Sequence, residues 1–303
     1  MKRKPLRQIL KELGPGVITG AADDDPSGIA TYSIAGAQFG TALLWMAVVS
    51  WPLMAGVQAM CARIGMVTGR GLMSALRVRF PRPVLIIMCV ALLVTNTINI
   101  GADLSGMADA AEQLTGLSSH IYVILFGIAI AFATVRLRYS TLANTLKWLA
   151  LVLLSYVITA FMVGPKWSQV AHDTFVPHVP EHSAWSMIVA ILGTTISPYL
   201  FFWQASQEVE EEKAQGRRTV HERQGATHEE MRMRRLDIGA GTFVSNIAMF
   251  FIILTTALTL HAHGMTHIST SKEVAAALKP LAGPYAALLY AVGLIGTGAL
   301  AIP

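Results

Sequence analysis

Apolar segments long enough to cross a bilayer recur along this chain, and they decide its fold class. A helix needs about 20 consecutive apolar residues to span the hydrocarbon core. Such windows fall at about 14–38, 42–66, 83–113, 119–136, 142–164, 185–208, 237–262 and 280–303. No water is present in that core to satisfy backbone N–H and C=O groups, so only helices or closed barrels can cross it. Windows of this length are those of spanning helices. The chain is therefore read as an all-α polytopic membrane protein with about eight transmembrane helices. Composition agrees, at 53% hydrophobic and only 14% charged residues, against about 25% charged in a soluble domain. This excludes a soluble enzyme, and the chain is read as no enzyme at all. Cys61 and Cys89 lie in or beside apolar runs and offer no disulfide framework. The basic start, Met1-Lys2-Arg3-Lys4-Pro5, leads into Gly14-Pro15-Gly16 and a run of aspartates. That is not the continuous apolar stretch of a cleavable signal peptide.

A net charge of +5 invites a nucleic-acid reading, but its distribution refutes it. With the N-terminus inside, every Lys and Arg except Lys166, Lys272 and Lys279 falls on the inner side. Such asymmetry is the positive-inside pattern of a membrane protein. It predicts a cytoplasmic N-terminus in a plasma (inner) membrane, with the lipid bilayer as partner and no nucleic acid. The one long hydrophilic segment, 208–236, mixes Glu210-Glu211-Glu212-Lys213 with Arg217-Arg218 and reads as a solvated helical connector on that side.

Two windows are interrupted. In the first, Asp23-Asp24-Asp25-Pro26-Ser27-Gly28 sits amid apolar sequence. One aspartate at the bilayer centre costs about 2.5–3.5 kcal/mol on insertion scales, so its presence points to an ion path. Pro26 and Gly28 disfavour helix and free backbone carbonyls at the same depth. Unwound backbone there is tolerated only in a cavity or inside protein. A carboxylate beside free carbonyls is what a hard divalent cation needs. In the sixth window, Gly193-Thr194-Thr195-Ile196-Ser197-Pro198 repeats the interruption without charge. Two broken helices at corresponding positions mark the binding site of an inverted-repeat transporter.

The third window carries Asn96, Asn99, Asp103 and Gly106 at spacings of three or four, hence on one helix face. The asparagines read as interhelical hydrogen-bonding groups. Asp103 reads as a proton-relay or ion-path residue. His172, His178, His182, His261, His263 and His267 sit in outer loops at spacings that fit no defined metal site.

The segments Gly14-Pro15-Gly16, Asp25-Pro26-Ser27-Gly28, Ala102-Asp103-Leu104, Ser197-Pro198-Tyr199 and Gly296–Pro303 resemble the natural resistance-associated macrophage protein (NRAMP) family of divalent metal transporters. The resemblance runs through nearly the whole chain. It implies a LeuT-type fold of two inverted five-helix repeats, with helices 1 and 6 broken at the ion site. On that plan 1–13 is a cytoplasmic N-terminal segment and 14–164 the first repeat. Residues 165–184 are then an outer loop, and 185–303 a partial second repeat. The chain stops within its eighth span, so a C-terminally truncated second repeat is expected.

The resemblance also implies a metal site of Asp25, Ala22, Gly28, Thr194 and Ser197. Ala22 and Thr194 would contribute carbonyls, and Asp25 would be the sole charged ligand. Departures from the family pattern bear on the cargo. Gly28 stands where the family has a ligand asparagine, Ser197 where it has a methionine and Tyr199 where it has a histidine. Gly106 replaces an acidic residue that follows Asp103. Losing the thioether removes a bias toward soft ions, and an emptied position leaves room for the waters that magnesium retains. The pattern resembles the magnesium-transporting branch, so the expected function is alternating-access transport of Mg²⁺ and/or Mn²⁺. The alternatives are an ordinary proton-coupled Mn²⁺/Fe²⁺ importer, with protons as a further partner and Asp103 and Tyr199 as relay candidates, or a non-transporting fragment. No cofactor beyond the transported cation is expected.

Overall fold

The computed structural model describes residues 23–136, 154–180, 182–268, 273, 288 and 290–302. Among these residues there is no strand. The helices are α1 Pro26–Phe39, α2 Trp45–Thr68, α3 Leu72–Leu76, α4 Arg82–Thr115, α5 Ser119–Arg136, α6 Leu154–Val163, α7 Trp167–Phe175, α8 Ala184–Thr195, α9 Pro198–Ala214, α10 Val220–Arg223 and α11 His228–Thr259. A shorter apolar helix, α12, covers Tyr290–Ala301. Five stretches are long and apolar enough to cross a membrane: α2, α4, α5, the α8–α9 stretch Ala184–Ala214, and His228–His263. They fall on the second, third, fourth, sixth and seventh predicted windows. Of the windows 14–38, 142–164 and 280–303, residues 14–22, 142–153, 280–287, 289 and 303 lie outside the described residues.

The chain divides into two compact units, each drawing on both halves of the sequence. Among described residues, the first holds 52–95 and 197–244. The second holds 23–51, 96–136, 154–180, 182–196, 245–268, 273, 288 and 290–302.

In the first unit, α9 and α11 carry helix well into the hydrophilic segment 208–236, leaving only α10 and two short loops between them. Two Thr-x-x-Glu boxes explain where these helices begin. The Thr219 hydroxyl accepts from the Glu222 amide while the Glu222 carboxylate accepts from the Thr219 amide. Thr227 and Glu230 make the same exchange ahead of α11. Each pair satisfies donors that the first helical turn leaves open. The Thr219 amide and hydroxyl thereby hold the Glu222 carboxyl below its ordinary range.

Arg234 organises the rest of the connector. Its guanidinium lies 2.7 Å from Glu208 and 2.9 Å from Asp237, and it also pairs with Glu211. The side chain is only 14% exposed. Removing one partner of a buried ion pair leaves charges uncompensated and costs about 3–5 kcal/mol. Arg234→Met should therefore destabilise the protein by about 3 kcal/mol, at the low end of that range, because Glu211 keeps some contact with solvent. Arg234→Lys should recover only part of the loss, since an ammonium cannot reproduce the planar fork. Thermal midpoints in detergent test this, and unchanged midpoints for Arg234→Met would show the network to be stability-neutral.

The second unit holds the apolar core: Ile29, Tyr32, Leu43, Leu44, Met249, Ile252, Ile253, Leu254, Tyr290 and Leu294 are all buried within it. Tyr32 is the largest fully buried side chain on α1, and its hydroxyl meets Thr195 Oγ1 at 2.9 Å. A buried phenol needs such a partner. The helix α1 ends at Gly40, whose φ of +59° suits glycine. Against this turn packs the ring of His261, whose Nδ1 lies 2.9 Å from the Ala37 carbonyl. One of the outer-loop histidines is thus a structural tie. By contrast, α4 and α5 leave many large aliphatic side chains exposed, among them Ile86, Leu93, Ile98, Ile124 and Ile128. Such surfaces suit a lipid solvent rather than water.

Candidate metal centre

All geometry in this section belongs to the second unit unless stated. The first interruption is a helix start. Asp25 is extended, with φ −69° and ψ 167°, and occupies the N-cap of α1 with Pro26 at its first position. Proline is favoured there because its missing N–H would be unpaired anyway. The Asp25 Oδ1 accepts from the Gly28 amide at 2.7 Å and from Ser27 Oγ at 2.7 Å. Asp23, Asp24 and Asp25 are all buried. The Ser245 hydroxyl, on α11, points to two of them, lying 2.8 Å from Asp23 Oδ2 and 3.3 Å from Asp24 Oδ1.

The α4 stripe meets this start. The Ser27 amide donates to Asp103 Oδ1 at 3.1 Å. Asn99 Nδ2 donates to Asp25 Oδ2 at 3.0 Å and faces Asp103 Oδ2 at 3.4 Å. Gly106 continues the same face, and a Cβ there would lie 3.1 Å from Pro26 Cβ. A side chain at 106 would press on the proline, which accounts for glycine at that position.

The second interruption is equally defined. α8 ends at Thr195, Ile196 leaves the helix at φ −107° and ψ 60°, and Ser197 caps α9 with Pro198 at its first position. Thr194 reaches the start of α1. A Cβ on Gly28 would meet Asp25 Oδ1 at 3.2 Å, Thr194 Oγ1 at 3.2 Å and the Asp23 carbonyl oxygen at 3.4 Å. Three oxygens from three residues therefore converge on the bare Cα of Gly28.

Of the residues expected at a metal site, Asp25, Gly28 and Thr194 come together, with Asp103 held beside them through Ser27 and Asn99. Thr194 brings its hydroxyl to this place, where a carbonyl was expected. Ala22 lies outside the described residues. Ser197, buried, and Tyr199 belong to the first unit at the beginning of α9. Ser27, Asn99 and Ser245 were not expected at the site. Asn99 was visible in the polar stripe, whereas Ser27 and Ser245 are small hydroxyl residues without a distinguishing spacing. Among the described residues, no three His, Cys, Asp or Glu side chains group closely enough to hold a metal ion. A cation here needs neutral oxygens to complete its shell, as hard divalent ions accept.

Comparison with known proteins gives a consistent result. The family model described as natural resistance-associated macrophage protein-like matches residues 16–303. A protein named divalent metal cation transporter MntH from Yersinia pestis is 28% identical over 301 residues, covering 98% of this chain and 71% of its relative. The protein of that name from Deinococcus radiodurans is 27% identical over 300 residues, covering 97% and 66%. A crystal structure of the Eremococcus coleocola manganese transporter, in complex with an aromatic bis-isothiourea substituted compound, superposes with a TM-score of 0.71 at 18% identity. It covers 99% of this chain, which spans 65% of that structure's length. The all-α fold is thus shared with a solved metal transporter. The chain belongs to the natural resistance-associated macrophage protein-like family.

Proposed function

We propose that this protein carries divalent metal cations across a membrane by alternating access, with Mg²⁺ and/or Mn²⁺ as cargo. The observation that carries the reading is the convergence of the Asp25 carboxylate, the Thr194 hydroxyl and the Asp23 carbonyl on the bare Cα of Gly28. Asp25 supplies charge, and Gly28 supplies space. Every group there is a hard oxygen, the donor type that suits magnesium, calcium and manganese. Transport by relatives named as divalent metal cation transporters supports the same class.

Calorimetric titration of Mn²⁺, Mg²⁺ and Ca²⁺ into the purified protein, paired with uptake into liposomes, tests the reading. The expected result is saturable Mn²⁺ binding that Mg²⁺ displaces. Failure of all three ions to bind would overturn it. A pH-sensitive dye inside the same liposomes separates the two modes of transport. Acidification that accompanies metal entry would assign proton-coupled import, and constant internal pH would assign uncoupled transport.

A further inference from the structure

Asn99 occupies a position that hydrogen bonding between helices does not exhaust. Its Nδ2 stands 3.0 Å from Asp25 Oδ2 and 3.4 Å from Asp103 Oδ2, while its Oδ1 accepts from Ser27 Oγ at 3.1 Å. The carboxamide thus ties together the carboxylate proposed to bind the cation, the carboxylate of α4, and the residue between Pro26 and Gly28. Ser27 has one hydroxyl proton but faces two acceptors, Asn99 Oδ1 at 3.1 Å and Asp25 Oδ1 at 2.7 Å. The arrangement is one donor short at Ser27.

We propose that Asn99 is a cation ligand and specificity-determining residue, whose amide turns over when the ion arrives. The proposal rests on the reading of Asp25 as the charged ligand. An NH₂ group cannot coordinate a cation, so with Nδ2 turned toward Asp25 and Asp103 the carboxamide closes the site with donors. A half-turn about its terminal torsion exchanges the two ends, which are nearly the same size. Oδ1 then lies about where Nδ2 stood, and Nδ2 donates to Ser27 Oγ. Ser27 gives its proton wholly to Asp25 Oδ1, and the missing donor at Ser27 is supplied.

Without an ion, the turned state sets Oδ1 against two carboxylate oxygens, acceptor against acceptor, and is disfavoured. With an ion, the same separation becomes favourable. Adjacent oxygens around an octahedral cation at about 2.0–2.1 Å stand about 2.9–3.0 Å apart, and Asn99 Nδ2 and Asp25 Oδ2 are 3.0 Å apart. Asn99 would thereby add a neutral, hard oxygen beside Asp25 Oδ2. Removing that oxygen should penalise Mn²⁺ more than the softer Cd²⁺.

The test is titration of Mn²⁺ and Cd²⁺ into the purified protein and its Asn99→Leu, Asn99→Asp and Asp25→Asn variants, with thermal midpoints recorded for each. Asn99→Leu should weaken Mn²⁺ binding at least about tenfold and Cd²⁺ binding less than about threefold. Asn99→Asp, which keeps the oxygen, adds a charge and loses both donors, should bind Mn²⁺ at least as tightly as the parent. If Asn99→Leu does not fold, Asn99→Ala, whose vacated space admits water, replaces it with the same expectation. Unchanged Mn²⁺ binding in the Leu or Ala variant would overturn the proposal. So would parallel losses of both ions in the Leu (or Ala) and Asp variants, because that pattern belongs to a residue that only positions the carboxylates. Failure of the underlying site looks different: Mn²⁺ binding would then survive Asp25→Asn unchanged.

Discussion

Asp25→Asn should abolish Mn²⁺ binding while leaving the protein folded. The two properties separate because the helix cap and the proposed ligand role use different parts of Asp25's chemistry. As the N-cap of α1, its Oδ1 accepts from the Gly28 amide at 2.7 Å. Asparagine caps helices about as well as aspartate, so the helix start should survive and the thermal midpoint should stay near that of the parent. In its proposed role as the charged ligand of a divalent ion, Asp25 is irreplaceable by an amide. Two opposite unit charges at about 4 Å interact by about 4 kcal/mol in surroundings of intermediate polarity, and the ion carries two charges at closer range. Even after heavy discounting for hydration, a loss of about 100-fold in affinity, or about 2.7 kcal/mol, is the minimum expected. Asp25→Ala should lose the same binding and about 1 kcal/mol of helix capping besides. Calorimetry and the thermal midpoint read the two effects independently. Undiminished Mn²⁺ binding in Asp25→Asn would remove the metal centre from this place in the fold.

Gly36→Ala is the substitution with the largest expected effect on folding. A Cβ on Gly36 would lie 2.1 Å from Thr256 Oγ1 and 2.3 Å from the Ile253 carbonyl oxygen, both on α11. Ordinary contact begins at about 3.4 Å, so the helices would have to part by more than an ångström. The Thr256 hydroxyl can rotate away, but the Ile253 carbonyl is backbone and cannot. Overpacking a tight core costs about 1–3 kcal/mol. Here the strain falls on buried Ile253 and its neighbours in the core, so at least about 3 kcal/mol is expected, the upper end of that range. In practice the monodisperse species in detergent should be lost. Thr256→Ala in the same chain should restore only part of the stability, because the carbonyl contact persists. Gly56→Ala is the matched control: nothing lies within 4 Å of a Cβ there, and it sits inside α2. Alanine should be neutral or stabilising by up to about 1 kcal/mol at such a position. Equal midpoints for Gly36→Ala and the parent would show that the helix approach at Gly36 is not tight.

The fold class and much of the local geometry of the candidate site were legible in the sequence. Helices were obligatory once apolar windows of membrane length were seen, because a lipid core leaves backbone groups no other partner. The break at Asp25-Pro26 was legible for a local reason. An aspartate before a proline is a cap before a helix's first position, and neither residue needs distant contacts to act so. The break at Ser197-Pro198 follows the same rule. Chain spacing even placed Asn99 and Asp103 on one face, because that depends only on the helical period. The connector between α9 and α11 was less well read. Its Thr219 and Thr227 boxes are visible as Thr-x-x-Glu, but the grip of Arg234 on Glu208 and Glu211 joins residues more than twenty positions apart.

What three-dimensional packing alone settled is which faces meet. No sequence period says that Asn99 turns toward Asp25, that one Ser245 hydroxyl serves two aspartates, or that Thr194 offers its side chain to Gly28. Those pairings arise between separate helices, whose mutual rotation is set by how closely their backbones can approach. Gly36 lets α1 sink onto α11, and Gly106 lets α4 lie against Pro26. Each missing Cβ fixes a distance, and those distances bring the oxygens together. The candidate oxygens are written along the chain, whereas their convergence depends on contacts from 74 to 222 positions apart, which only a packed core can enforce.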